Sequence, residues 1–532
     1  MIVARPGAMS VVIVAVGLVF LLSPFPEDSR WALESSAEAL AVREAHLTRV
    51  ADTASASRDR LNVVLVVADD LSRHDVGAYG HTPARTPNID ALAARGVRFL
   101  DASSADPVCS PSRASLLTGR YAQRFGFDSQ PMQRYPRNRL EYLGFRYLID
   151  TDAMTPQRSG AYPSAADIAR QGLPQSEVTL ADTLAAAGWR TGLFGKWHLG
   201  YAEDNGPDRF GFQHQYGFDE AFTLYATEDA PDIVEYRHEV FWEAHIWDRG
   251  RSGPSAITRD GAPVTEARYL TDAITDEALA FIEARADANE PFFAYLPYSA
   301  PHTPFQARRE DYDAIDPSLD HVERTYLAMI RRLDHAIGRI EATLAARDLT
   351  ERTLVIFTSD NGGAHYTGGT GNGPLRAGKF TQFEGGVAVP MVIAGPQWPR
   401  GEVRAAAVSH LDLVPTLLAQ LGLPAARVLD GVDLRAGVPE PRLLYWRTDH
   451  SRAIRDGSWK LLQDRRDAAS TRLYDLSADP GERHDLSIAH PEIAQRLLGA
   501  LDAWEAALPP AGWPRVMDYT DCSEGECRDF AI

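Results

Sequence analysis

The stretch RLNVVLVVADD, residues 60–70, decides the fold of this chain. Its β-branched apolar residues form a continuous run without polar alternation, which predicts a strand buried on both faces, as in a parallel sheet. The run ends in Asp69 and Asp70. The segment TPNIDALAARG follows, with Thr86 at a helix N-cap and Pro87 at the first helical position. A buried strand followed by an amphipathic helix is the repeating unit of α/β proteins.

Three more helix–strand units occur further along the chain. Each joins an amphipathic helix to a short apolar strand: VTLADTLAAAGW with RTGLFGK, YLTDAITDEALAFIEA with PFFAYLP, and TYLAMIRRLDHAIGRIEATLAARDL with RTLVIFTS. This repetition predicts an α/β fold with a large, mostly parallel central sheet sandwiched by helices. From residue 441 the pattern changes to short segments with turn signals, which predict a smaller C-terminal subdomain carrying an antiparallel sheet.

These changes of pattern divide the chain into predicted parts. They are a signal peptide or signal anchor (1–31), a weakly ordered leader or linker (32–59), a large domain (60–440) and the C-terminal subdomain (441–532). Two long irregular insertions, 124–176 and 203–262, interrupt the large domain, and long loops of this kind often carry function.

The N-terminus predicts export from the cytoplasm. Arg5 precedes an uninterrupted apolar run from Val11 to Leu22, which is the length of a signal h-region and shorter than a spanning helix. We therefore expect a secreted or periplasmic protein with no membrane span after signal cleavage, and a signal-anchored protein is the alternative. The net charge of −19 argues against general nucleic-acid binding.

The chain contains three cysteines, and their placement is informative in an oxidising compartment. Cys522 and Cys527 could close a small loop near the C-terminus. Cys109 is then left without a partner in the segment PVCSPSRASLLTGR. It is a small buried hydrophobe, half of a disulfide, or a catalytic position.

Polar side chains follow several of the predicted strands. Asp69 and Asp70 end the first strand, and Asp360 and Asn361 end the strand RTLVIFTS. Because the carboxyl ends of parallel strands meet at one edge of a sheet, these oxygen-bearing residues are expected to converge. Hard oxygen ligands suit Ca²⁺ or Mg²⁺ rather than Zn²⁺. Each pair alone also fits a plain turn or helix cap, but the two pairs together favour a metal site.

Cationic and acid–base residues occupy further loops flanked by glycine or proline. They are Lys196 and His198 in GKWHLG, His302 in APHTP, and Lys379 in RAGKFTQFEGG. Each histidine alone also fits a structural role, and each lysine alone fits a solvated surface. Several cations beside a divalent metal suit an oxyanion ester, because they neutralise charge on its oxygens and leaving group.

The segments that carry these residues resemble the type I sulfatases, of the alkaline phosphatase superfamily. CSPSRASLLTGR (109–120) is similar to their C-x-P-S-R-x-x-x-L-T-G signature, and GKWHLG (195–200) to their second signature. The resemblance continues in family order over most of residues 60–490, in VLVVADDLSRHDVGAYG, PHTP, FTSDNGG and PLRAGKFTQFEGGVAVP. It implies an alkaline-phosphatase-like sulfatase fold and a sulfuric ester hydrolase, with arylsulfatase activity as one form of it.

The resemblance also implies a role for Cys109 and a metal. A formylglycine-generating enzyme would oxidise Cys109 to formylglycine (3-oxoalanine), and the hydrated aldehyde would be the nucleophile. Ca²⁺ would be held by four residues and by an oxygen of the modified Cys109: Asp69, Asp70, Asp360 and Asn361.

The remaining residues have implied roles around this nucleophile. Arg113 and Lys196 would orient it, and His198 would take the proton whose loss releases sulfate. Lys379 and His302 would bind the sulfate and stabilise or protonate the departing alkoxide, and Lys196 would also contact the substrate.

Two other functions stay open. A phosphonate monoester or phosphodiester hydrolase can use the same scaffold, and a non-catalytic protein that binds sulfated glycans is the alternative from another class. The expected substrate is an extracellular sulfated carbohydrate or an aryl sulfate. Six residues of the insertions are candidates for contacts with it: Arg134, Arg137, Tyr142, Arg146, Trp242 and His245.

Overall fold

The computed structural model describes residues 6–53, 60–80, 83–227, 230–523 and 525–532. Its large domain is built on a ten-stranded mixed sheet. In chain order the strands are β1 (Asn62–Ala68), β2 (Val97–Ser103), β3 (Arg190–Lys196), β4 (His214–Phe218), β5 (Thr258–Arg259), β6 (Ala262–Pro263), β7 (Phe292–Pro297), β8 (Thr353–Ser359), β9 (Met391–Ala394) and β10 (Glu402–Ser409). Across the sheet the order is β6-β5-β4-β3-β7-β1-β8-β9-β2-β10.

The central strands of this sheet are parallel. Neighbours within β4-β3-β7-β1-β8 all run in the same direction, whereas β9 is antiparallel to both β8 and β2. Every residue of β1 is buried. Its alternate side chains enter two different hydrophobic cores, Val64 and Val66 on one face of the sheet and Val63 and Leu65 on the other. The prediction of a strand buried on both faces is confirmed, and it places the carboxyl end of β1 in the middle of the sheet.

Helices cover both faces of the sheet. The helices of the chain are α1 (Pro6–Leu22), α2 (Ala37–Thr53), α3 (Pro87–Arg95), α4 (Cys109–Thr118), α5 (Arg139–Tyr147), α6 (Ala165–Ala169), α7 (Leu180–Ala186), α8 (Phe241–Arg249), α9 (Leu270–Ala288), α10 (Arg309–Asp313), α11 (His321–Ala346), α12 (Glu384–Val387), α13 (Leu413–Leu421) and α14 (Pro491–Ala506). Apolar residues of α3, α9 and α11 fill one core, and those of α4, α7 and α13 fill the other.

The C-terminal part carries an antiparallel sheet, as predicted. Its four strands are β11 (Leu443–Thr448), β12 (Ser451–Asp456), β13 (Trp459–Asp464) and β14 (Arg472–Asp475), and α14 packs against it. A separate hairpin follows, formed by β15 (Met517–Ser523) and β16 (Glu526–Ala531). Cys522 and Cys527 face each other across this hairpin and form a disulfide.

The prediction of a weakly ordered leader over residues 32–59 is wrong for residues 37–53. Residues 37–53 form α2, which packs on α7 with His46 and Val50 buried. Arg43 forms an ion pair of 2.6 Å with Asp182 of α7. The segment AEALAVREAHL consists largely of strong helix formers, and its docking on α7 supplies the stabilisation that a short helix lacks in water.

The insertions are also more regular than predicted. Residues 203–262 supply β4 and β5 of the central sheet, and 124–176 supply the strand Met154–Pro156, which pairs with β15 of the C-terminal hairpin. The two remaining short pairs are Glu27–Asp28 with Tyr162–Pro163, and Ile233–Tyr236 with Phe305–Arg308. Among the described residues, no helix is long and apolar enough to cross a membrane.

Candidate active site

The site lies at the carboxyl edge of the parallel strands. Asp69 and Asp70 follow β1, Lys196 ends β3, His302 follows β7, and Asp360 follows β8. The ten residues predicted to form the site are all buried, and none is more than 7% exposed: Asp69, Asp70, Cys109, Arg113, Lys196, His198, His302, Asp360, Asn361 and Lys379. Residues dispersed over about three hundred positions converge because their strands are neighbours in one parallel sheet.

Cys109 is the first residue of α4, whose start is fixed by its hydroxyl groups. Ser110 Oγ donates to the carbonyl of His198 at 2.5 Å, and Ser112 Oγ donates to the carbonyl of Asp360 at 2.5 Å. These two bonds tie the helix to the loops after β3 and β8. The dipole of the helix N-terminus favours an anion at this position.

Three carboxylates and three cations form a compact buried cluster. Arg113 Nη2 lies 2.8 Å from Asp360 Oδ2 and 3.3 Å from Asp69 Oδ2. The other two cations contact the adjacent aspartates, with Lys196 Nζ at 2.6 Å from Asp69 Oδ2 and Lys379 Nζ at 2.9 Å from Asp70 Oδ1. The formal charges therefore cancel, as burial of so many ionised groups requires.

Burial changes the acid–base behaviour of the thiol and the two histidines. It raises the pKa of Cys109 to about 12. Burial, reinforced by Lys196 and Arg113, holds the pKa of His198 well below the usual histidine value. Burial and Lys379 likewise lower the pKa of His302. At neutral pH the thiol is thus protonated and His198 is uncharged.

His198 has an unusual backbone and no partners for its ring. Its φ is +55°, a left-handed conformation that is uncommon for a residue with a side chain. Neither ring nitrogen has a hydrogen-bond partner among the described residues, although both are buried. In contrast, His302 Nδ1 contacts the carbonyl of Thr303 at 2.5 Å, which directs Nε2 toward Asp70 Oδ2 at 3.6 Å. Strain and an unpaired buried ring are typical of functional positions.

The cluster contains groups that suit a metal. Ligand atoms of Asp69, Asp70, Cys109 and His302 lie within 4.8 Å of one another. Asn361 Nδ2 donates to Asp70 Oδ1 at 2.7 Å, and this holds the amide oxygen Oδ1, which is buried and has no hydrogen-bond partner. A hard divalent cation is the kind of ion that such oxygens bind.

A cavity of about 560 Å³ opens over this cluster. Cys109, His198, His302 and Lys379 line its base. Of the six candidates for substrate contacts, the cavity includes Arg134, Trp242 and His245. The other three are not among its lining residues: Arg137, Tyr142 and Arg146. Arg137 is instead paired with Glu141, and Arg146 lies over the ring of Tyr147.

Sequence reasoning missed several residues of the cavity wall: Glu220, Glu243, Tyr366, Phe380, Tyr519 and Ile532. Tyr366 lies in the glycine-rich loop that follows Asn361, and this proximity was an available signal. The C-terminal hairpin gave no signal, because nothing in its own residues indicates that Tyr519 reaches the cavity.

Comparison with known proteins supports the same chemistry. Residues 61–423 match the sulfatase family. N-acetylgalactosamine-6-sulfatase of Canis lupus familiaris is 32% identical over 504 residues, which cover 86% of this chain and 87% of that protein. Arylsulfatase A of Homo sapiens is 32% identical over 507 residues, which cover 82% of this chain and 86% of that protein. The solved structure of Ps i-CgsB in complex with k-i-k-neocarrahexaose is 29% identical and has a TM-score of 0.70, covering 85% of this chain and 94% of that one.

The family match extends over more than half of the chain, and two relatives at 32% identity cover most of its length. The strands and loops that build the cluster lie within the matched residues. The protein belongs to the sulfatase family and is a sulfuric ester hydrolase.

Proposed function

We propose that this protein hydrolyses a sulfate ester of an extracellular carbohydrate and releases inorganic sulfate, using formylglycine derived from Cys109. The observation that carries the proposal is the neutral, buried cluster at the base of the cavity, with Cys109 at the start of α4. An anionic ester entering this cavity meets Lys379, His302 and a helix N-terminus, which are the groups that stabilise negative charge.

The state of Cys109 supports its conversion. As a thiol with a pKa of about 12 it supplies almost no thiolate at neutral pH, and the thiolate is the nucleophilic form. The segment CSPSR resembles the sulfatase signature, and this resemblance implies that a formylglycine-generating enzyme acts on Cys109. Hydrated formylglycine supplies a nucleophilic hydroxyl and a second hydroxyl through which sulfate is released.

Ca²⁺ is the proposed metal, and Asp69, Asp70, Asp360 and Asn361 are its proposed ligands together with residue 109. The unpaired, buried oxygen of Asn361 and the adjacent carboxylates fit a hard cation, and the donor set contains no thiolate pair or histidine cluster of the kind zinc prefers. When bound, the ion supplies positive charge that polarises the ester oxygens.

The side chains around residue 109 divide the proton chemistry. His198 accepts a proton, since it is uncharged at neutral pH and both its nitrogens are unpaired. Arg113 and Lys196 hold the nucleophile in place. Lys379 and His302 bind the sulfate and donate a proton to the leaving oxygen.

The cavity and the relatives support the proposed substrate class. Aromatic side chains, arginines and histidines line the cavity, as expected for a sulfated sugar. The relatives at 32% identity include N-acetylgalactosamine-6-sulfatases, which supports a carbohydrate sulfate. The predicted signal sequence supports secretion or a periplasmic location.

The test is release of inorganic sulfate from a panel of sulfated oligosaccharides. The parent protein is compared with the Cys109→Ala variant on this panel. In a second assay, the parent is given the sulfate ester and the phosphonate ester of the same alcohol. We expect the parent to release sulfate from a carbohydrate and Cys109→Ala to release none. Equal sulfate release by both proteins would refute the role of Cys109. Faster turnover of the phosphonate ester would identify a phosphonate monoester hydrolase, and binding without release would identify a glycan-binding protein.

A further inference from the structure

Tyr366 lies on the cavity wall beside the reacting centre, and none of the roles described above uses it. It lines the cavity together with Cys109 and Lys379. Burial raises its pKa, and the charges of Lys379, Asp70 and Cys109 all act on the phenol. The phenol is therefore within electrostatic reach of both the proposed nucleophile and a residue that binds sulfate.

The ring of Tyr366 is held by an aromatic cluster. It stacks on Phe380, which follows Lys379, with ring centroids 5.4 Å apart and an angle of 12° between the planes. Tyr519 of β15 lies 5.6 Å from both rings. The hairpin that supplies Tyr519 is closed by a disulfide. The Tyr366 ring is thus fixed by residues from two separate parts of the chain.

The hydroxyl of Tyr366 differs from those of three other tyrosines in this part of the structure. Tyr225 donates to the carbonyl of His302 at 2.9 Å, Tyr201 donates to Glu220 at 2.9 Å, and the Tyr519 hydroxyl lies 3.2 Å from His365 Nε2. The Tyr366 hydroxyl has no hydrogen bond with any residue that the structure describes. The Tyr366 side chain is partly exposed and lines the cavity, so its unpaired hydroxyl is available to a molecule that enters the cavity.

We propose that Tyr366 is a substrate-binding residue whose hydroxyl forms a hydrogen bond with a hydroxyl group of the sugar ring that bears the sulfate. The inference rests on the proposed function and adds a specificity contact to it. The sulfate itself is met by Lys379 and His302, whereas a neutral phenol, both donor and acceptor, matches a sugar hydroxyl. A ring already fixed by stacking loses little conformational freedom when it binds.

Tyr366→Phe is the direct test, because it removes the hydroxyl and keeps the stack. Tyr519→Phe is the matched control, because it removes a hydroxyl of the same cluster that is already hydrogen-bonded inside the protein. Both variants and the parent are assayed with galactose 6-sulfate and with 4-nitrophenyl sulfate, which has the sulfate but no sugar hydroxyls. For Tyr366→Phe we expect kcat/KM on the sugar sulfate to fall about threefold to tenfold, the effect of one lost hydrogen bond.

The comparison of substrates distinguishes the possible outcomes. We expect Tyr366→Phe to change kcat/KM on 4-nitrophenyl sulfate by less than about twofold. We expect Tyr519→Phe to change kcat/KM on the two substrates by the same factor. Equal losses on both substrates would place the contact on the sulfate and overturn the inference, as would no loss on either. If the parent hydrolyses neither ester, the proposed function fails as well. A parent that hydrolyses both while Tyr366→Phe shows no selective loss refutes only the role of Tyr366.

Discussion

The Lys379→Met variant tests whether the buried cluster binds a metal ion and whether Lys379 neutralises the charge of Asp70 in that cluster. Lys379 Nζ lies 2.9 Å from Asp70 Oδ1 and 3.0 Å from Oδ2, and both residues are almost completely buried. The substitution keeps the apolar part of the side chain and removes the cation. Asp70 then retains Asn361 Nδ2 at 2.7 Å as a donor but has no lysine beside it.

The size of the effect follows from this geometry. Removing one partner of a buried ion pair costs about 3–5 kcal/mol, because the other charge stays buried and uncompensated. We expect the metal-free variant to lose about this much free energy of unfolding relative to the metal-free parent. Ca²⁺ restores the missing positive charge, so it should stabilise the variant more than the parent. A ligand present at a hundred times its Kd adds about 2.7 kcal/mol to the free energy of unfolding.

The assay is urea denaturation followed by circular dichroism, in EDTA and in excess CaCl₂. Lys460→Met is the matched control. Lys460 is also fully buried and lies 2.8 Å from Glu384 Oε1 and 3.1 Å from Glu482 Oε1, away from the proposed ligands. We expect it to be destabilised in both conditions, with no greater gain from Ca²⁺ than the parent shows. The reasoning is refuted if Lys379→Met is as stable as the parent in EDTA, or if Ca²⁺ rescues both variants equally.

Three further predictions concern the base, the buried arginine and the N-terminal helix. The pKa of His198 lies well below 6.5, and the neutral form of His198 is the base. We therefore expect kcat/KM to stay level as the pH falls through 6.5 and to decline only at lower pH. A pH profile of kcat/KM whose acidic limb is centred at or above 6.5 would contradict this. Arg113→Lys loses the hydrogen bond of 2.9 Å from Nε to Asp360 and the hydrogen bond of 3.1 Å from Nη1 to the Lys196 carbonyl. We therefore expect kcat in a sulfate-release assay to fall about a hundredfold. An unchanged kcat would exclude a role of Arg113 in orienting the nucleophile. A chain that begins at residue 60 lacks Val50, which is fully buried, and should unfold at least about 2 kcal/mol more easily than one that begins at residue 32; equal stability would mean that α2 does not support the fold.

Much of the fold and the polar centre could be predicted from local sequence. The run before Asp69 is apolar on both faces, and such a strand has to lie inside a sheet. Once parallel strands are inferred, their carboxyl ends meet, so Asp69, Lys196 and Asp360 are expected to converge. Local patterns are sufficient here because the topology itself brings the strand ends together.

Features that depend on contacts between distant segments could not be predicted. The helical state of residues 37–53 depends on docking against α7, and the strand 154–156 pairs with the C-terminal hairpin. The position of Tyr519 beside Tyr366 likewise depends on how that hairpin packs. The sequence supplied the cations and carboxylates of the site, but their pairwise balance is a property of the packed cluster.

The mass of the peptide that contains Cys109, measured in a preparation that releases sulfate, tests the central claim most directly. We predict that this peptide carries the formylglycine aldehyde in place of the thiol, in proportion to the active fraction of the protein. An active preparation in which residue 109 is found only as unmodified cysteine would contradict the account.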